Sequence, residues 1–119
     1  GMRVMGAQWL RGMVHPSVQG TALFEQILDM LERSSPAQFE AQIAALLGRP
    51  DAAPVLPTIA CPTLVLTGRE DLWSPPDQHA AIASAIPGAK LVIVEQCGHM
   101  ATVEQPQAVN AAFADWLAR

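Results

Sequence analysis

An aspartate follows the apolar run of TLVLTGRED (63–71), and a histidine follows the apolar run of LVIVEQCGHM (91–100). Both runs are rich in leucine and β-branched residues and stop at short polar segments containing glycine, the pattern of strands buried in a sheet. Side chains that do chemistry in an open parallel sheet collect just beyond the carboxyl ends of its strands. If the two strands are neighbours and run the same way, Asp71 and His99 reach one rim within hydrogen-bonding distance. A carboxylate placed there fixes the imidazole tautomer and stabilises its protonated form, which is what a general base and acid requires. Trp73, in the loop with Asp71, and Met100, beside His99, are candidates to face a substrate.

The elements that must position this pair follow from periodicity. Residues 3–13 form a weak first helix. Residues 20–33 set Leu23, Phe24, Ile27, Leu28 and Leu31 on one stripe, with Glu25, Asp29 and Glu32 away from it. Ser35, Pro36 and Gln38 read as N-cap, first-turn proline and capping-box partner of a third helix that Gly48 stops, with Phe39, Ile43, Leu46 and Leu47 as its apolar stripe. RPDAAPVLP (49–57) carries three prolines in nine positions and reads as an extended connector. Thereafter a buried strand at 63–68, a helix from SPPD (74–77) to about Ile86, a second buried strand at 90–95 and a closing helix from Gln105 and Pro106 are expected. The stripe of that last helix is Val109, Phe113, Trp116 and Leu117. Strand, helix, strand, helix predicts a parallel β-α-β-α unit with a right-handed crossover. The division is residues 1–57, helical with the proline-rich connector, and residues 58–119, the β-α-β-α part, together one compact unit.

Composition narrows the function classes. The chain has 119 residues, half of them apolar, which suits one packed domain rather than a disordered segment. A net charge of -4 with seven scattered Lys and Arg residues gives no footprint for nucleic acid. No apolar run nears the ~18 residues of a bilayer span. MRVMGAQWLRGMV reads as a helix rather than a signal peptide. Cys61 precedes one strand and Cys97 follows the other, so parallel strands set the sulfurs roughly five residues of ~3.3 Å apart, beyond disulfide reach. Free thiols point to a reducing, cytoplasmic location. His15 and His79 have no metal-ligand spacing to other donors, and neither metal nor cofactor is implied.

The stretch Ile59–Leu117 resembles the C-terminal section of the α/β-hydrolase fold family. CPTLVLTGREDLWSPP is similar to its seventh strand and acid loop, and AKLVIVEQCGHMATVEQP to its eighth strand and histidine loop. QIAALLGRPDAAPVLPTIACPT resembles the connection from cap to strand in small-molecule hydrolases such as enol-lactonases and C–C bond hydrolases. The resemblance implies that Asp71 is the acid of a catalytic triad and His99 its base, with Glu70 passed over because the pattern selects the fourth position counted from Gly68. It implies hydrolysis of an ester, lactone or activated C–C bond. Glu104, near the start of the last helix, is read as a complement to the helix dipole.

The nucleophile of that family sits on a Gly-x-Ser-x-Gly elbow. None of Ser17, Ser34, Ser35, Ser74 and Ser84 has glycine two residues to either side. The expectation is therefore a partial α/β-hydrolase fold that keeps acid and histidine, lacks the elbow and is inactive alone. Three forms of it stay open: the C-terminal portion of a longer enzyme, a non-catalytic module from a truncated gene, and a subunit completed by a second polypeptide carrying the serine. A two-stranded sheet is marginal by itself. A homodimer is therefore expected through the open edge of strand 63–68, with two copies antiparallel at the centre of a four-stranded sheet.

Overall fold

A computed structural model describes residues 1–118 of the chain. Three helices come first: α1 (Met2–Leu10), α2 (Ala22–Glu32) and α3 (Pro36–Gly48). The β-α-β-α part follows: β1 (Leu64–Gly68), α4 (Pro76–Ala85), β2 (Lys90–Val94), a single turn α5 (Ala101–Glu104) and α6 (Pro106–Leu117). The strands pair in parallel, Leu64 opposite Lys90 through Gly68 opposite Val94. This is the expected partial α/β-hydrolase fold, with its two strand ends level.

The local devices are those the residues dictate. Ser35 Oγ accepts from Gln38 N at 3.2 Å, and Gln38 Oε1 accepts from Ser35 N at 2.8 Å, closing the capping box of α3. Thr21 caps α2 through Phe24 N. Gly88, at φ 72°, turns the chain from α4 into β2 where a side chain would be strained. The Trp116 indole N–H donates to Pro62 O at 3.1 Å, and Lys90 pairs with Asp115 at 3.7 Å, tying α6 to the entry ends of both strands.

The best-packed core lies in the helical part. Leu10, Met13 and Val14 bury against Phe24, Ile27 and Leu28 of α2, and Leu10 is fully enclosed. The first helix, weak by sequence, therefore carries one of the most buried side chains. Gly6 makes this possible: a Cβ there would stand 3.2 Å from Leu28 Cδ1 and 3.3 Å from Leu31 Cδ1. Along one flank of the α2 apolar stripe, Glu25, Asp29 and Glu32 all bond the Arg3 guanidinium at 2.6–2.8 Å. These pairs are exposed, so they register α1 on α2 more than they stabilise it.

Several burial expectations are corrected. The α3 stripe is not core: Phe39, Ile43 and Leu46 are partly exposed and Leu47 is 81% exposed. Phe39, Ile43 and Leu46 instead wall a cavity opposite Met5 and Trp9 of α1. In β2 only Val94 is buried, and the four residues before it, which alternate between both faces, are half-buried. Phe113 and Leu117 of α6 are likewise exposed, while Val109 and Ala112 are buried. The connector 49–57 is not wholly extended: a turn precedes a short 3₁₀ segment at Leu56–Thr58. The Cα radius of gyration is 16.0 Å, against about 13.5 Å for a compact chain of this length. The excess reflects an elongated shape, 44 × 33 × 22 Å along its principal axes. No described helix is long and apolar enough to cross a membrane.

Candidate active site

The acid loop begins where β1 stops. Arg69 N donates to Val94 O at 2.8 Å and Glu70 N to Cys97 O at 2.9 Å, so the two strand exits stay zipped for two residues past the sheet. Asp71 N then donates to Gly68 O, turning the chain back. Asp71 Oδ1 accepts from Trp73 N at 3.1 Å and Ser74 N at 2.8 Å, which holds the carboxylate in place from its own loop. The side chain is 4% exposed. Its other oxygen, Oδ2, lies 2.8 Å from His99 Nδ1.

The histidine loop is held with equal care. Gln96 takes a left-handed conformation at φ 52°, reversing the chain after β2. Cys97 N donates to Glu70 Oε2 at 2.9 Å, the partner of the Glu70 N bond, so Glu70 and Cys97 clamp the two loops from both sides. His99 N donates to Met13 O at 2.7 Å, reaching into the N-terminal helical part. Two glycines allow this approach. A Cβ on Gly68 would fall 2.2 Å from Gly98 O, and one on Gly98 would fall 2.7 Å from Val14 C. Both clashes are with backbone, which cannot give way.

Glu104 is the residue that sequence reading understated. Its Oε1 accepts from His15 N at 2.7 Å and Gly98 N at 3.1 Å, and its Oε2 accepts from Met100 N at 2.9 Å. One carboxylate thus binds three backbone amides from two distant segments. Helix-dipole complementation describes only a part of this. The sequence carries a weak signal for it, an acid one helical turn beyond the Met100 N–H.

A carboxylate only accepts hydrogen bonds, so the His99 proton shared with Asp71 sits on Nδ1 and the lone pair on Nε2. The ring is partly exposed and borders a cavity of about 670 Å³. Trp73 meets the His99 ring edge-on, centroids 5.4 Å apart, and meets Trp9 at 5.5 Å. It also lines the cavity beside His99. Met100 instead packs on the Leu10–Leu28 core. His15 caps a 3₁₀ turn through Ser17, and His79 lies on α4, its ring 3.3 Å from Pro75 O. Cys61 is exposed and Cys97 buried, both as free thiols. Burial, with Glu104, Glu70 and Asp71 close by, pushes the Cys97 thiol up to about 12, leaving it a neutral space-filler under the loop.

Residues 2–112 fit the family description "Alpha/beta hydrolase family". The chain belongs to the alpha/beta hydrolase family. Among curated hydrolases of this family, a 2-hydroxy-6-oxononadienedioate/2-hydroxy-6-oxononatrienedioate hydrolase of a Pseudomonas species is 33% identical over 81 residues, covering 68% of this chain and 29% of that protein. Its counterpart in Klebsiella pneumoniae is 37% identical over 70 residues, 59% of this chain and 24% of that protein. Among solved structures, a thermophilic esterase from Thermogutta terrifontis superposes with a TM-score of 0.93 at 31% identity, over 99% of this chain and 44% of that one. The enol-lactonase from Burkholderia xenovorans LB400 superposes with a TM-score of 0.84 over 100% of this chain and 46% of that one; at 22% identity it speaks to the fold alone. This hydrolase-family chain therefore spans under a third of the curated relatives' length and under half of the solved structures'.

Proposed function

We propose that this chain supplies the acid and the base of a serine-hydrolase triad, with Asp71 as orienter and His99 as general base and then general acid. The observation that carries the reading is the 2.8 Å bond from His99 Nδ1 to the buried Asp71 carboxylate at the carboxyl rim of two parallel strands. In this role Nε2 takes the proton of an attacking hydroxyl and delivers it to the leaving group, while Asp71 stabilises the imidazolium between the two steps. The substrate is a small molecule with an ester, lactone or activated C–C bond; among the relatives, the names print a 2-hydroxy-6-oxononadienedioate/2-hydroxy-6-oxononatrienedioate hydrolase and an esterase. The nucleophile and the oxyanion donors come from outside these 119 residues, which contain no Gly-x-Ser-x-Gly.

The test is turnover of a p-nitrophenyl ester. The chain alone gives background rates. Mixed with a polypeptide carrying the elbow-bearing half of a related hydrolase, it gives turnover that His99→Ala abolishes and Asp71→Asn lowers by orders of magnitude. Turnover by the chain alone, or complementation indifferent to His99, rejects the reading.

A second reading concerns assembly, and the sheet favours it. Strand β1 pairs with β2 on one side and has no strand on the other among the described residues. Its unpaired N–H and C=O groups are a template for another strand. We propose that in the absence of an elbow-bearing partner two copies join through this edge, β1 antiparallel to β1. Light scattering at micromolar concentration then gives twice the chain mass, and a monomeric mass rejects the pairing.

A further inference from the structure

The bond to Asp71 fixes one atom of the His99 ring and leaves the ring two freedoms. It can swing about the line from Nδ1 to Asp71 Oδ2, and it can turn over about its bond to Cβ, which breaks the contact. The ring is partly exposed, so burial does not hold it. Besides Asp71, it meets Trp73, with ring centroids 5.4 Å apart and planes at 65°.

Trp73 is itself held at two points. Its backbone N–H donates to Asp71 Oδ1 at 3.1 Å, on the same carboxylate that turns Oδ2 to His99. Its indole meets that of Trp9, with centroids 5.5 Å apart and planes at 86°. Trp9 is steadied in turn because Leu10, the next residue of α1, is fully enclosed in the core. A line of side chains thus runs from α1 through Trp9 and Trp73 to the base. Burial of apolar surface does not account for it, since Trp73 stays 53% exposed. An edge-to-face aromatic pair favours its own geometry by about two- to tenfold. Two such pairs in series confine a ring that water would otherwise leave free to turn.

We propose that Trp73, braced by Trp9, is a positioning residue for the base. It keeps the His99 ring at the angle where Nδ1 meets Asp71 and Nε2 is open to an incoming hydroxyl. This deepens the hydrolase reading and rests on it for what Nε2 then does, but the restraint on the ring exists without turnover. The seating of α1 becomes a condition of the base's geometry.

The experiment is nitrogen NMR of the full chain with isotope-labelled histidine, at alkaline pH where imidazole is neutral, which reads the ratio of Nδ1–H to Nε2–H tautomers at each ring. His99→Gln assigns the His99 signals. His15, whose Nδ1 accepts from Ser17 N at 3.1 Å, is the internal reference. In the native chain His99 is predominantly the Nδ1–H form. Trp73→Leu lowers the His99 ratio about threefold, the size of one lost edge-to-face pair, and Trp9→Leu lowers it about twofold. Trp73→Phe, which keeps an aromatic ring against the imidazole, restores most of the native ratio. The His15 ratio stays fixed throughout.

A change at His99 under about 1.5-fold in Trp73→Leu, below what one aromatic pair supplies, overturns the proposal. So does a Trp73→Phe chain no better than Trp73→Leu, or a His15 ratio that moves with that of His99, the mark of general loosening. If Trp73 only covers apolar surface or walls the cavity, its loss alters urea stability or the KM of the complemented enzyme and leaves the ratio alone, which overturns it as well. Should Trp73→Leu not fold, Trp9→Leu decides, because it removes the brace without touching the acid loop, and an unmoved His99 ratio there is a refutation. Failed complementation with the ratios shifting as described rejects the triad alone, while intact complementation with unmoved ratios rejects the brace alone.

Discussion

Replacing Glu104 with alanine removes a carboxylate that fastens the histidine loop to the N-terminal helical part. Three backbone amides, of His15, Gly98 and Met100, lose their acceptor. A hydrogen bond to a charged group contributes about 1.5–3 kcal/mol, at the low end where water can replace the partner. Glu104 is partly buried, so some of the freed amides rehydrate. Three such bonds at the low end come to about 4.5 kcal/mol, which that rehydration lowers to about 3–4 kcal/mol. That is a large share of the roughly 6–18 kcal/mol that holds a domain of this length folded. Glu104→Gln keeps one acceptor oxygen but turns an NH₂ group toward an N–H donor, so about half that loss is expected. Urea unfolding followed by Trp fluorescence gives the stability change. Amide hydrogen exchange locates it, with Gly98 and Met100 deprotected before the amides of α4. A stability change under about 0.5 kcal/mol in Glu104→Ala, the size of an ordinary surface substitution, would refute the claim that these bonds hold the site together. So would unaltered exchange at Gly98 and Met100.

Two further outcomes follow from the same loops. The Cys97 thiol is held near 12, above its ordinary value of 9.0, chiefly by burial, so it favours the folded state below about pH 9 and progressively ceases to do so as pH rises toward 12. Stability measured across that alkaline window should fall more steeply in the native chain than in Cys97→Ala, and at pH 7.5 a thiol reagent should modify Cys61 at once and Cys97 only on unfolding. Gln96 occupies the left-handed region at φ 52°; Gln96→Gly relieves that strain and should raise stability by about 0.5–1 kcal/mol in a urea titration, whereas a loss would show that the side chain, not the backbone, sets the turn.

The legible part of this protein is what short-range physics encodes. Ser35, Pro36 and Gln38 form their capping box because all three groups lie within one turn. The strands at 64–68 and 90–94 follow from continuous leucine and β-branched runs, and a helix between them makes them parallel. Once the strands are parallel and in level register, the residues just past their ends must share a rim, so the meeting of Asp71 and His99 was readable before any coordinates. Burial of α3, β2 and α6 was less readable. An apolar stripe records that a face avoids water, but not whether a neighbour exists to cover it, and Leu47, Phe113 and Leu117 stay open.

The sequence by itself settled the order of elements, the direction of the strands and the two side chains at their exits, because each depends on residues close along the chain. Only the tertiary structure decided how that exit is held. Glu104 reaches His15 across 89 positions, Met13 O takes the His99 amide, and Gly68 and Gly98 matter because another backbone lies where a Cβ would go. Such contacts depend on how α1, the α3 stripe and the two loops stack in space, and no periodicity along the chain records that stacking.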